Sequence, residues 1–225
     1  GIKSGPEIAR AALALTVTVA LYPRWPVITV AEPGLARLLS WMLGEAALGI
    51  AIGVCVSFLL ESFVFAAQMM GLQAGYAYAS TIDPTTQADT GILLLLAQLI
   101  AGMFFFAMGL DREVIRIFAR TLETFPPGNF SLAPGAVNQV LNLGADMLAT
   151  GLRLAFPVVA LLVLVDVSLA LMGRVNAQLQ LLTLAFPVKM LVTLLLLAWV
   201  SVLMPTVFRA AGHRMLASLH AVMGR

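Results

Sequence analysis

Long apolar runs dominate this chain of 225 residues, and short polar or Gly/Pro-rich stretches separate them. A helix needs roughly 20 residues to cross about 30 Å of hydrocarbon, because each residue advances it by about 1.5 Å. That length predicts six spanning segments, at residues 8–22, 41–60, 63–82, 91–110, 147–172 and 179–204. Only Glu61 and Ser62 separate the second segment from the third, so one long bent helix is the alternative there. The pattern indicates an all-α fold of the integral-membrane type.

Two polar stretches have the pattern of amphipathic helices. Residues 111–124 alternate charged and apolar side chains, which predicts a helix with one apolar face. The run Phe125-Pro126-Pro127-Gly128-Asn129 should end that helix, because proline cannot continue it. The tail from Pro205 sets Arg and His side chains between apolar ones, which predicts a helix at a membrane interface or against a partner.

The last two apolar segments share the five-residue sequence Leu-Ala-Phe-Pro-Val, at 154–158 and again at 184–188. A proline inside a helix removes one backbone hydrogen bond and bends the helix, so Pro157 and Pro187 should kink the two segments alike. The polar link 173–178 between them is short. We therefore expect an antiparallel helical hairpin at the C-terminal end of the chain.

The composition supports a membrane environment and argues against several classes of protein. Hydrophobic residues make up 61% of the chain and charged residues 11%, against roughly 45–50% and 25% in soluble domains. The net charge is only +2 and the basic residues are scattered, so nucleic acid is not an expected partner. No catalytic motif is present, so the chain is not expected to be an enzyme.

Five ionisable residues interrupt the apolar runs: Glu45, Glu61, Arg153, Asp166 and Lys189. A charge facing lipid at mid-depth costs at least about 2.5 kcal/mol, so each of them needs a partner or a route to the interface. They could form an ion or proton relay, as in a secondary transporter. Ion pairs between helices or subunits, or snorkelling to the interface, are the more frequent explanation. Lys189 lies two residues after Pro187, where it could pair with a carboxylate of a neighbour.

Small residues and possible metal ligands have simpler explanations. Gly44, Gly49 and Gly53 favour close helix packing over a ligand slot. His213 and His220 have no Cys or carboxylate nearby in the sequence, and Cys55 is the only cysteine. The sequence therefore predicts neither a metal site nor a cofactor.

The most unusual polar segment lies at residues 68–89, where Gly71, Gln73 and Gly75 precede Asp83 and Pro84. A non-helical segment at membrane depth is tolerated only inside protein or along a watery path, and an ordinary loop between spans is the alternative. In the pattern Gly-x-Gln-x-Gly followed by Asp-Pro, the chain resembles the family of the flagellar biosynthesis protein FliR and its type III secretion relatives. Further motifs occur in the family's order: Gly109-Leu110, Pro126-Pro127-Gly128, Ala155-Phe156-Pro157, Gly173-Arg174 and Phe186-Pro187-Val188-Lys189. The chain departs from the family pattern at Gln68, Asp111, Arg112, Ala177, Gln180 and Ala185.

The resemblance implies a core subunit of a protein-export gate that assembles helically with FliP-like and FliQ-like membrane subunits around a central pore. An FlhB-like subunit, lipid and unfolded export substrates are further expected partners, in a bacterial inner membrane and raised toward the periplasm. It also implies a FliP-like region at 1–146, with a further helix expected upstream of Gly1, and a FliQ-like hairpin and tail at 147–225.

The resemblance also assigns roles to particular residues. A pore-plugging role falls on Gly71, Gln73, Gly75, Tyr76, Tyr78, Thr81, Asp83 and Pro84. Helix kinks and contacts between subunits are expected at Pro157, Pro187, Lys189, Arg153, Asp166 and Glu45. A secondary transporter with an ion or proton site inside the membrane is the alternative function.

Overall fold

The computed structural model describes residues 7–25, 34–75, 92–124, 134–175 and 181–223, and every regular element in these ranges is helical. Seven α-helices follow one another in this part of the chain: α1 Glu7–Ala20, α2 Leu35–Ala74, α3 Ile92–Ala107, α4 Leu110–Thr124, α5 Pro134–Val175, α6 Leu181–Ser201 and α7 Met204–Val222. A short 3₁₀ turn, Tyr22–Arg24, follows α1. The all-α prediction is confirmed.

Among the described residues, fewer helices could cross a membrane than the six that the apolar runs predict. Among the described residues, Leu35–Ala74 and Val137–Arg174 are long and apolar enough, and the number rises to four if two bent helix pairs each count as one span. One of these pairs, α3 with α4, is bent by 64°. The described part of α1 has 14 residues and extends about 21 Å at about 1.5 Å per residue, which is less than the roughly 30 Å of the hydrocarbon layer.

Helix α2 joins two of the predicted segments into one helix of 40 residues. Glu61 and Ser62 lie inside it, and the Ser62 hydroxyl donates to the carbonyl oxygen of Leu59 at 2.7 Å. Because this bond satisfies the hydroxyl within its own helix, Ser62 is tolerated in a buried position. The single-helix alternative at this point is correct, and residues 76–82 of the predicted segment lie outside the described ranges.

Two glycines end helices through a backbone conformation that other residues seldom adopt. Gly75 follows α2 with φ of 85°, and Gly109 lies between α3 and α4 with φ of 69°. In this left-handed region a Cβ atom is costly, so glycine is the usual residue just beyond a helix C-terminus. Gly109 thus follows the apolar α3 at the position where that helix ends.

The described residues form two compact units, and α2, α5 and α7 contribute to both. The first comprises Gly1–Ser57, Gly109–Leu143 and Arg214–Arg225. In it, Ile117 and Thr121 share the buried face of α4, as its amphipathic pattern predicts.

The second unit comprises Phe58–Met108 and Gly144–His213. Its core includes an aromatic cluster in which the ring of Phe208 lies 4.9 Å from that of Phe63 and 5.7 Å from that of Phe104. Phe208 is fully buried. Helix α7 therefore packs its apolar side on the chain itself at this point, which corrects the prediction that this side faces a membrane interface or a partner.

Close packing between helices occurs at glycines other than the predicted ones. A Cβ atom on Gly151 of α5 would lie 2.7 Å from Cδ1 of Phe65 and 2.8 Å from the carbonyl oxygen of Ser62. At Gly49 and Gly53 nothing lies within 4 Å of such an atom. The expectation of tight packing at those two glycines is therefore wrong within this chain, and α2 meets α5 closely at Gly151 instead.

Candidate functional site

The Gly-x-Gln-x-Gly motif occupies the C-terminal end of α2. Gly71 and Gln73 lie in the last helical turn, and Gly75 ends the helix, its amide donating to the carbonyl oxygen of Leu72 at 3.2 Å. Nothing lies within 4 Å of a Cβ atom built on Gly71, so close packing does not explain that glycine. The positive φ of Gly75 explains the second glycine of the motif.

Gln73 takes part in a polar cluster that we call the Asp166 network, formed by Gln73, Asp166 and Lys189. The Gln73 side-chain amide Nε2 donates to Oδ2 of Asp166 at 3.0 Å. The other carboxylate oxygen, Oδ1, forms an ion pair with the ammonium group of Lys189. One carboxylate thereby joins the end of α2 to both α5 and α6.

The Asp166–Lys189 pair also connects α5 with α6. Asp166 precedes the end of α5 at Val175, and Lys189 follows the start of α6 at Leu181, at similar distances from the intervening link. Two residues so placed meet when the second helix turns back at the link, so the ion pair agrees with the predicted antiparallel hairpin.

Partial burial should make this ion pair contribute more to the stability of the fold than an ordinary surface pair does. The side chain of Lys189 is 14% exposed and that of Asp166 is 38% exposed. Exposed pairs contribute about 0–1 kcal/mol, whereas breaking a fully buried pair by removing one partner costs about 3–5 kcal/mol. Loss of either charge here should fall between those ranges, because the remaining charge keeps some access to solvent.

One turn after Lys189, a buried hydroxyl group bonds to the backbone of α6. Thr193, which is fully buried, donates its hydroxyl to the carbonyl oxygen of Lys189 at 2.7 Å.

Pro187 lies inside α6 and Pro157 inside α5, as predicted. Because Pro157 has no amide hydrogen, it cannot donate to the carbonyl oxygen of Arg153.

The other predicted ionisable residues are not drawn into this cluster. Glu45 and Arg153 are exposed, and neither has a partner among the residues that the structure describes. Glu61 makes an interaction of its own. The expected contacts of Glu45, Arg153, Asp166 and Lys189 with other subunits stay predictions.

Part of the predicted pore plug lies outside the described residues: Tyr76, Tyr78, Thr81, Asp83 and Pro84. The structure therefore shows the start of that segment at Gly75, and its role stays a prediction. Within the described ranges, no group of three or more His, Cys, Asp or Glu side chains is placed to hold a metal ion.

The Gln73–Asp166 contact was not predicted from the sequence. The two residues are 93 positions apart, and no local pattern connects them. The Asp166–Lys189 pair was within reach, because a hairpin that folds at the link between α5 and α6 brings these two positions together. The sequence signal for this pair is two isolated opposite charges that lie at similar distances from a predicted turn.

Comparison with known proteins places these motifs in a family. Residues 1–215 match the model of "Bacterial export proteins, family 1". The chain is 27% identical to the flagellar biosynthetic protein FliR of Escherichia coli over 212 residues, covering 94% of this chain and 79% of that protein. It is 24% identical to the corresponding FliR protein of Pectobacterium carotovorum, covering 86% of this chain and 74% of that one.

A relative from another secretion system is similar as well. The secretion system apparatus protein SsaT of Salmonella typhimurium is 24% identical over 163 residues, covering 70% of this chain and 62% of that protein. The match to the family model extends over nearly the whole sequence and includes all three residues of the Asp166 network. This chain belongs to family 1 of the bacterial export proteins, as its resemblance to the FliR family predicted.

Proposed function

We propose that this chain is a core membrane-embedded subunit of a type III protein-export apparatus, of the flagellar kind. The observation that carries the proposal is the family match over residues 1–215, together with relatives named for flagellar biosynthesis and for a secretion apparatus. The chain serves as a structural and gating component rather than as an enzyme. Its place is the bacterial inner membrane, in an assembly raised toward the periplasm.

The exposed apolar surface supports an assembly with other membrane subunits. Large apolar side chains are exposed on each helix from α1 to α6, and α1 has no buried residue. Apolar surface on this scale requires lipid or protein to cover it. FliP-like and FliQ-like subunits, with an FlhB-like subunit beside them, are the proposed partners around a shared pore for unfolded substrates.

Co-purification distinguishes this function from that of a secondary transporter. A tagged full-length chain, extracted in mild detergent from its own membranes, should bring down other membrane subunits in fixed proportions. A transporter would instead purify as a single species whose thermal unfolding midpoint responds to a small solute or ion. Recovery of such a self-sufficient species would refute the export-subunit proposal.

Within that apparatus, the segment from Gly75 to Asp89 serves to plug the closed pore. Its starting point supports this role, because Gly75 ends a helix of 40 residues whose last turn bonds to Asp166 of α5. A segment that leaves a fixed helix end can be held across a narrow passage while the helices around it stay in place.

Deletion of residues 81–89 tests the plug. The assembled apparatus with this deletion should conduct ions across the membrane, whereas the wild-type apparatus at rest should not. The amount of co-purifying subunits should stay the same, because the deletion leaves every described helix intact. An assembled deletion variant with wild-type conductance would remove the plug assignment.

A further inference from the structure

The end of α2 is held on two sides by different kinds of contact. Met70 and Ala74 in its last turns are fully buried, which fixes the apolar side. Gln73 lies next to Met70, three positions before it, and about 100° around the helix axis from Ala74, so it is on the adjacent side of this turn. Its side chain reaches the carboxylate of Asp166, which fixes the polar side.

We infer that Gln73 is a positioning residue for the export pore: its bond to Asp166 fixes the point at which the chain leaves α2. The inference rests on the proposed function, since it explains how the start of the pore-plugging segment is held. Lys189 acts through Asp166, because its ion pair orients the carboxylate toward the Gln73 amide.

The chemistry of the network suits this role. The last turn of a helix frays easily, because its final carbonyl groups have no partner within the helix. A carboxylate that accepts from both an amide and an ammonium group has its two oxygens in different bonds, so it cannot turn toward one partner without releasing the other. The position of the Gln73 side chain, and with it the final turn, is therefore coupled to the spacing of α5 and α6.

Replacement of Gln73 by leucine tests the role directly. The variant replaces the carboxamide by an apolar side chain of similar size, so it removes the donor to Asp166 together with the amide oxygen. Its matched control is Gln68→Leu, which makes the same change at an exposed position of the same helix. Both are made in the full chain and studied in the assembled apparatus.

Amide hydrogen exchange of residues 71–75 is the first measurement. A hydrogen bond to a charged group is strong enough that its loss should speed exchange of this turn about tenfold. Gln68→Leu should leave the rate unchanged. Equal rates in the wild type and Gln73→Leu, or an equal rise in both variants, would overturn the inference.

Two double variants separate the acceptor from the charge. Asp166→Asn with Lys189→Met keeps a side-chain oxygen that accepts from Gln73 but removes both charges, so its exchange rate should lie between those of the wild type and Gln73→Leu. Asp166→Leu with Lys189→Met removes the acceptor and should exchange as fast as Gln73→Leu. Identical rates in these two double variants would show that the Gln73 bond does not hold the helix end.

Ion leak is the functional measurement, and assembly is its control. Gln73→Leu should raise resting leak while assembly matches that of Gln68→Leu. Loss of assembly in Gln73→Leu alone would mark a folding contact and overturn the positioning role. If deletion of residues 81–89 raises the leak and Gln73→Leu does not, the positioning role is wrong and the plug assignment stands. If neither change raises the leak, the plug assignment and the positioning role are both wrong, whatever the exchange rates show.

Discussion

Adding one methyl group to Gly151 should weaken the packing of α2 on α5. A Cβ atom at this position would lie 2.7 Å from a ring carbon of Phe65 and 2.8 Å from the backbone carbonyl oxygen of Ser62. A side chain can turn aside, but the carbonyl belongs to the backbone of α2, so the helices must move apart. Overpacking of this kind costs about 1–3 kcal/mol.

The net effect is smaller, because alanine is a better helix former than glycine by about 1 kcal/mol. We therefore expect Gly151→Ala to lower the free energy of unfolding by up to about 2 kcal/mol. Two other glycines provide controls. A Cβ on Gly144 of the same helix would lie 3.3 Å from a ring carbon of Phe58, which can give way, and a Cβ on Gly53 would meet nothing within 4 Å.

Thermal unfolding in detergent, followed by far-ultraviolet circular dichroism, measures the three variants against the wild type. Gly151→Ala should unfold at a lower temperature, by roughly 2–4 °C for each kcal/mol lost in a chain of this length. Gly144→Ala should change little, and Gly53→Ala should be neutral or slightly stabilising. An increase in the unfolding temperature of Gly151→Ala would refute the close approach of the two helices.

Three further changes should give outcomes of different size, each followed by the same unfolding measurement. Phe208→Ala should lower the free energy of unfolding by about 3–5 kcal/mol, because it empties the centre of the aromatic cluster. Phe106→Ala, at an exposed position, should lower it far less. Similar losses in both variants would contradict the cluster. Gly75→Ala should cost about 1–2 kcal/mol, since φ is 85° there, and Gly75→Asn should be tolerated better; no difference between the two would argue against the left-handed cap. Arg24→Ala should cost less than about 1 kcal/mol, because Arg24 and Glu123 are 52% and 55% exposed, and a larger loss that persists at high salt would show that this pair is not an ordinary surface contact.

Features that depend on periodicity were predictable from the sequence. The charged and apolar positions of residues 111–124 predicted an amphipathic helix, and the structure places it at Leu110–Thr124 with Ile117 and Thr121 buried. The shared proline motif and the short link predicted the hairpin of α5 and α6. The isolated charges of Asp166 and Lys189 each required a partner in an apolar chain, and in the structure they pair with each other.

Features that depend on which helix face meets a neighbour were not predictable. Gly49 and Gly53 have the spacing of a close-packed helix face, yet they face open space in this chain, while Gly151 carries the close approach. Small residues permit such an approach without selecting a partner. The length of α2 does not follow from the sequence for a related reason: Glu61 and Ser62 could separate two helices, but the Ser62 hydroxyl bonds inside one continuous helix.

Deletion of this chain from its own cell tests most directly whether it serves type III protein export. Cells without it should fail to release export substrates of that system into the medium, while proteins secreted by the general pathway appear in normal amounts. Restoring the full-length chain should restore release. Undiminished release of the type III substrates from cells that lack the chain would contradict a core role in the export apparatus.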